Sequence, residues 1–221
     1  MTKKNKEENQ AGRSSKNNIK EEGKMAEKKS LLRTTKPIGE ISEEEYSYTI
    51  KIPKDRIAVL IGVKGKDKKE LEEYSSARIN VDSKEGDVTI TGKDAVKLYT
   101  LREVIKAIGR GFKPETAELL LRPDYMLEII NLSDYGIDNK NKLKRVKARI
   151  IGTKGKARRT IEELTGTFLS VYGKTVSIVG ECAYVGNAKR AVELLIKGSM
   201  HSTVYKWLEN QRRKMRRDAG F

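Results

Sequence analysis

The stretch IIGTKGKARRT, residues 150–160, sets two glycines three apart behind an apolar pair and crowds basic side chains around them. Residues 140–160 hold ten Lys or Arg and no Asp or Glu, which calls for an anionic partner. A single GxxG carries almost no information. Here it occurs twice: LIGVKGKDKKE at 60–70 aligns at a shift of 90, pairing Gly62 with Gly152, Lys64 with Lys154, Gly65 with Gly155 and Lys66 with Lys156. The match resumes at a shift of 88, pairing Val88 with Val176, Ile90 with Ile178 and Gly92 with Gly180, so the turn between them is two residues shorter in the second copy.

Outward from the first GxxG, Tyr46, Tyr48, Ile50 and Ile52 alternate with polar residues as a half-buried strand does. Pro53 stops it, and KDRIAVLI predicts a short helix with Ile57, Leu60 and Ile61 on one face, closed by Gly62. After GVKG come a helix over 66–75, strands at ARINV and VTIT, and a helix from the Asp94 cap to about Ile108, with Leu98, Leu101, Ile105 and Ile108 as its buried face. A connecting helix over 114–121 follows. The order then returns: a strand over 125–131, a helix over 140–151, GTKG, a helix to Thr165, strands near 168–171 and 176–179, and a long helix after Glu181.

Strand, helix, GxxG, helix, strand, strand, helix resembles the KH domain in its eukaryotic-type order, the RNA-binding module whose GxxG loop clamps the backbone of about four nucleotides. The physical chemistry agrees. Glycines let a phosphate approach without meeting a Cβ, and the amides opening the next helix are expected as donors. Lys64 and Lys154 would face the sugar-phosphate strand, with Lys66 and Lys156 just beyond. Ile57 and Val63, and Ile150 with Ile161, are candidates for the floor of a base-reading groove beside the loop, with plain core as the stronger reading for several of them. Residues 51–69 carry seven basic and two acidic side chains, so the second copy is the expected main binder.

The whole chain has 221 residues, a formal charge of +16 and a pI near 9.7, which points to nucleic acid or, less often, an anionic membrane surface. No stretch reaches the roughly 18 apolar residues of a membrane span, no secretory signal is evident, and the expected compartment is the cytoplasm. The only cysteine, Cys182, excludes an intrachain disulfide and reads as a small buried apolar residue. GKT at 173–175 lacks the earlier glycine of a Walker loop, since Phe168 stands there, and reads as a hairpin turn. Glu72-Glu73 and Glu162-Glu163 read as solvated charges, and His201, the only histidine, excludes a multi-histidine metal site. No catalytic residue, cofactor or metal site is expected.

Four further stretches narrow the family: AIGRGFKPETAELLL at 107–121, IEELTGTFLSVYGKTVSIVGE at 161–181, AKRAVELLIKG at 188–198 and HSTVYKWLENQRRKMRR at 201–217. Together they resemble the archaeal two-KH small-subunit ribosome assembly factors, whose eukaryotic relatives are the pre-40S factor called partner of Nob and the KRR-type processome factor. The resemblance implies an α+β fold: two tandem type I KH domains, each a three-stranded antiparallel sheet packed by three helices, plus a C-terminal helix. The expected organisation is a disordered charged tail over 1–43, a first KH domain over 44–112, a linker helix over 113–124, a second KH domain over 125–200 and a basic helix over 201–221. Gly109 and Gly111 would set the angle between the domains. In the last helix Val204, Leu208 and Met215 form a buried stripe with Trp207 as a packing anchor, and Arg212, Arg213, Lys214, Arg216 and Arg217 cluster at its end.

The function implied is binding of single-stranded RNA at the 3′ region of small-subunit (16S) rRNA, near where an endonuclease and a dimethyltransferase act. The expected RNA-binding residues are Gly152, Thr153, Lys154, Gly155, Lys156, Arg158, Arg159, Lys147 and Arg149 in the second copy, and Gly62, Val63, Lys64, Gly65 and Lys66 in the first. In eukaryotic members the first loop has lost its glycines, so their presence here leaves the role of the first domain open. The rival readings are a KH adaptor that docks the translation initiation factor 2 alpha subunit or a nuclease, and a KH subunit of an RNA-degrading complex.

Overall fold

The structure is a computed structural model that describes residues 45–218; the tail expected over 1–43 lies outside the described residues. The first domain runs β1 (Tyr46–Lys51), α1 (Lys54–Ile61), α2 (Lys66–Ser75), β2 (Arg78–Asp82), β3 (Asp87–Gly92) and α3 (Ala95–Gly109). A short helix, α4 (Pro114–Ala117), then tightens into a 3-10 turn over Glu118–Leu121. The second domain runs β4 (Tyr125–Asn131), α5 (Lys140–Ile151), α6 (Lys156–Thr165), β5 (Phe168–Tyr172), β6 (Thr175–Glu181) and α7 (Cys182–Ile196), and α8 (His201–Asp218) closes the described chain.

Both sheets are antiparallel, in the orders β1-β3-β2 and β4-β6-β5, so the last strand of each copy lies in the middle. Equivalent pairs recur in register: Ile50 opposite Val88 and Ile79 opposite Ile90 in the first sheet, Ile130 opposite Val176 and Leu169 opposite Ile178 in the second. These residues alternate inward along their strands, which puts one face of each sheet against its helices. The four residues expected to form the buried face of α3, Leu98, Leu101, Ile105 and Ile108, are all buried. Asp94 caps that helix, accepting from the amides of Val96 and Lys97 at 2.9 and 3.1 Å. Val204 and Leu208 of α8 are fully buried in the second core, against which Trp207 is half-buried, while Met215 near the helix end is only partly covered.

The second sheet also buries its other face. Val179 on β6 belongs to the core of the first domain, with Tyr125 and Leu127 of β4 packed alongside. The Ser170 hydroxyl donates to the Arg110 carbonyl at 2.8 Å, and the Tyr172 hydroxyl donates to the Asp55 carboxylate at 2.6 Å. That acceptor, followed by burial, raises the Tyr172 phenol above its ordinary pKa. Gly111 (φ +98°) sits in this junction, where a Cβ would lie 2.7 Å from the Ser170 hydroxyl oxygen. Gly109 does not: its missing Cβ makes room for Ile52, 2.8 Å away, inside the first domain. Only one of the two linker glycines therefore bears on the domain junction.

Cys182 is exposed rather than buried: it is the first residue of α7, directly after Glu181, and its amide donates to the Asp124 carbonyl at 2.9 Å. GKT is the hairpin turn expected of it, with Gly173 at φ +53° between β5 and β6. Among the described residues no helix is long and apolar enough to cross a membrane.

Candidate nucleic-acid interface

The two GxxG loops repeat one backbone path. Gly62 and Gly152 take φ/ψ of 71/−178° and 72/176°, Lys64 and Lys154 take 55/26° and 51/28°, and Gly65 and Gly155 take 79/17° and 77/12°. The first glycine of each pair occupies a region essentially closed to L-residues, and it has no room for a side chain: a Cβ on Gly152 would lie 2.8 Å from the Ala157 backbone nitrogen. The second glycine differs. A Cβ on Gly65 meets nothing within 4 Å, and one on Gly155 only the edge of Arg159 at 3.9 Å. The space above the second glycine is open to a phosphate.

The amides expected to greet that phosphate are partly occupied. Gly155 donates to the Gly152 carbonyl at 3.2 Å and Lys156 to the Thr153 carbonyl, with the same pair of bonds in the first copy. A phosphate at this loop would therefore be met more by the ammonium groups. Lys154 is held in the left-handed region at a cost of about 1 kcal/mol, and Thr153, Lys154, Lys156 and Arg159 are all exposed. Val63 is 81% exposed at the matching tip of the first loop.

The surroundings differ in sign. In the first copy the Asp67 carboxylate lies against Gly62, where the second copy has Ala157. Lys66 pairs with Glu70 at 3.5 Å and Lys68 with Glu72 at 3.8 Å. Glu118 stands close enough that burial first, then repulsion from Glu70, Asp67 and Glu115, raises its carboxyl pKa against the pull of Lys66. In the second copy Arg158 pairs with Glu162 at 3.5 Å, whereas Lys147, Lys154 and Lys156 have no carboxylate partner among the described residues. The α5 helix adds six basic side chains and no acidic one.

Arg149 leaves the expected set of RNA contacts. Its guanidinium donates to the carbonyls of Gly198 and Ser199, and its own carbonyl bonds His201 at 2.9 Å, so it fastens the end of α5 to the turn before α8. The candidate groove floor also changes. Ile57, Ile150 and Ile161 point inward and are core, while Ile61 lines an open groove of about 360 Å³ in the first copy with Gly65, Lys68, Lys69, Glu72, Asn80 and Val81. At the matching positions of the second copy, Arg159 donates to the Lys154 carbonyl at 3.2 Å and Ser170 is turned to the first domain.

Two carboxylates read as solvated are structural. Glu72 accepts from the Ile79 amide at 2.7 Å and Glu162 from the Leu169 amide at 2.8 Å, each tying the helix after the loop to the next strand; Glu73 and Glu163 are exposed. Their equivalence under the repeat was the available signal. Glu162→Ala strands a part-buried amide and is expected to lower stability by about 1–2 kcal/mol in urea unfolding, with Glu162→Gln losing less because its amide oxygen still accepts. A merely solvated charge would leave both within about 0.5 kcal/mol of the unaltered protein.

Comparison with known proteins agrees with this architecture. A model of the eukaryotic-type (type I) KH domain, that of the second KH domain of PNO1 proteins, matches residues 126–213, and a general KH-domain model matches residues 47–106. The KH domain-containing protein MJ0443 of Methanocaldococcus jannaschii is 45% identical over 183 residues, 81% of this chain and 80% of that protein. The RNA-binding protein pno1 of Dictyostelium discoideum is 28% identical over 171 residues, covering 75% and 72%. Among solved structures, Dim2p of Pyrococcus horikoshii superposes with a TM-score of 0.70 at 48% identity, over 75% of this chain and 99% of that one. Its complex with a/eIF2alpha and rRNA superposes at 0.72 and 46% identity, over 77% and 96%. The chain belongs to the archaeal family of two-KH-domain proteins that includes MJ0443 and Dim2p and is related to eukaryotic pno1.

Proposed function

We propose that this protein binds single-stranded ribosomal RNA during small-subunit assembly, close to the 3′ end of 16S rRNA, with Gly152–Gly155 as the principal clamp and no chemistry of its own. The observation that carries the reading is that Lys147, Lys154 and Lys156 around the second loop have no carboxylate partner among the described residues, beside an open glycine and a helix with no acidic side chain. The complex of Dim2p with rRNA supports the ligand class. The first loop contributes less, because carboxylates stand beside its cations. The rRNA endonuclease and the dimethyltransferase that act nearby are proposed as neighbours on the same RNA. The adaptor reading, docking of the initiation factor 2 alpha subunit, is favoured by the presence of a/eIF2alpha in that same complex.

Fluorescence anisotropy with a labelled single strand copying the 16S 3′ end, against its duplex, separates the two. A clamp on about four phosphates gives a salt slope near −3, so affinity falls roughly 50-fold between 50 and 200 mM salt, and the duplex binds more weakly throughout. An adaptor without an RNA site shows equal affinity for both forms.

A further inference from the structure

The C-terminal end of α6, the first turn of α7 and the last turns of α8 enclose a cavity of about 390 Å³ that the GxxG loop does not use. Its apolar floor is Leu164, Leu208 and Met215, and the ring of Tyr184, 37% exposed, stands at its rim. Asn187 reaches in and donates to the Met215 sulfur at 3.3 Å, a weak acceptor that a better one would displace. Glu163, Glu181, Gln211, Arg212 and Arg216 also converge on it, and among the described residues none of their side chains has a hydrogen-bond or ion-pair partner. Five unpartnered polar side chains around an apolar floor and an aromatic edge match what an unpaired base requires: a ring to stack on, acceptors for its amino group and cations for its phosphates.

Position agrees with charge. α6 begins at the loop and ends at the cavity, and its ten residues span about 15 Å, a distance a few nucleotides cover. Tyr205 meets Thr160 midway along α6, and from there α8 runs beside α6 and brings Arg212 and Arg216 to the cavity, with Arg213 and Arg217 on the adjoining surface of the same turns. An RNA strand leaving the clamp thus has a second cationic landing on the same domain. We propose that this cavity is a further nucleotide site that takes an unpaired base of the strand held at Gly152–Gly155, with Glu163, Glu181 and Gln211 on the base edge and Arg212 and Arg216 on its phosphates.

The proposal rests on the RNA reading above, and strand length separates the two. The full chain is titrated with single strands of about 4 and about 12 nucleotides copying the 16S 3′ end. The variant pairs are Tyr184→Ala with Gln211→Ala, Arg212→Gln with Arg216→Gln, and Thr153→Asp with Lys154→Asp. The first two pairs alter exposed or half-exposed side chains outside the core, so folding is retained, which circular dichroism verifies. The Tyr184/Gln211 pair is expected to weaken the long strand about fivefold, the Arg212/Arg216 pair about tenfold, and neither to change the short one, while the loop pair weakens both. With a photoreactive thiouridine placed beyond the clamped segment, crosslinks are expected on Tyr184 or Met215. The proposal is overturned if the Tyr184/Gln211 pair binds the long strand as the unaltered protein does, which would leave the cavity to a protein partner. It is equally overturned if the arginine pair weakens both lengths alike, the mark of non-specific charge. Failure of the RNA reading itself looks different: the unaltered protein then prefers neither strand to duplex.

Discussion

Replacing Thr153 and Lys154 together with Asp is expected to lower affinity for a short single strand of RNA at least tenfold, about 1.4 kcal/mol. Both side chains are exposed at the loop tip, so the change sets two carboxylates against the phosphate path and removes a cation, while Gly152 and Gly155 keep the turn. Asp is among the residues that tolerate the left-handed conformation at position 154, so the backbone is preserved. The equivalent pair in the first loop, Val63→Asp with Lys64→Asp, is expected to cost less than about threefold, because Asp67 and Glu70 already oppose a phosphate there. Equal losses in the two loops would remove the ranking of the domains.

The second large effect concerns folding. Gly152→Ala is expected to destabilise the protein by about 3 kcal/mol: the conformation at φ 72°, ψ 176° costs an L-residue roughly 1–3 kcal/mol, and the added methyl meets the Ala157 backbone nitrogen at 2.8 Å and its Cβ at 2.6 Å. That neighbour is main chain and cannot swing aside. Gly62→Ala meets the Asp67 carboxyl group at 2.4 Å, which can rotate away, and the Asp67 Cβ at 2.9 Å, which cannot, so its cost is somewhat smaller. Gly155→Ala stands in open space and pays only for φ +77°, about 1 kcal/mol. Urea unfolding of the three variants should give the order Gly152, Gly62, Gly155. If Gly155→Ala is the most damaging, the distinction between a glycine needed for packing and one needed for ligand approach is wrong.

The sequence patterns that could be read were the local ones. The helices over 66–75 and 140–151 and the strand over 125–131 have in the structure the limits expected of them, because Gly65 opens the first, Asn139 and Gly152 bound the second, and Pro123 stands just ahead of the strand. What could not be read was made by contacts between distant segments. Val179 serves the core of the other domain, and Ser170 and Tyr172 hold Arg110 and Asp55, none of which leaves a period in the chain. Arg149 is indistinguishable in sequence from its basic neighbours, and only the nearby turn at Gly198 and Ser199 takes it out of the face expected to meet RNA. Likewise the i,i+3 and i,i+4 spacing that marks Ile150 and Ile161 as apolar gives the inward direction only once the helices are docked. The charge contrast between the loops was legible; that Asp67 bends over Gly62 and that Glu118 approaches from the linker was not.

Ultraviolet crosslinking of the full chain to a single strand copying the 16S 3′ end, followed by mass spectrometry of the peptides, tests most directly whether RNA lies on the second loop. The expected result is adducts concentrated on the segment from Gly152 to Arg159, with few on Gly62–Lys66. Adducts concentrated on the first loop, or on a surface that contains neither tetrapeptide, would contradict the account.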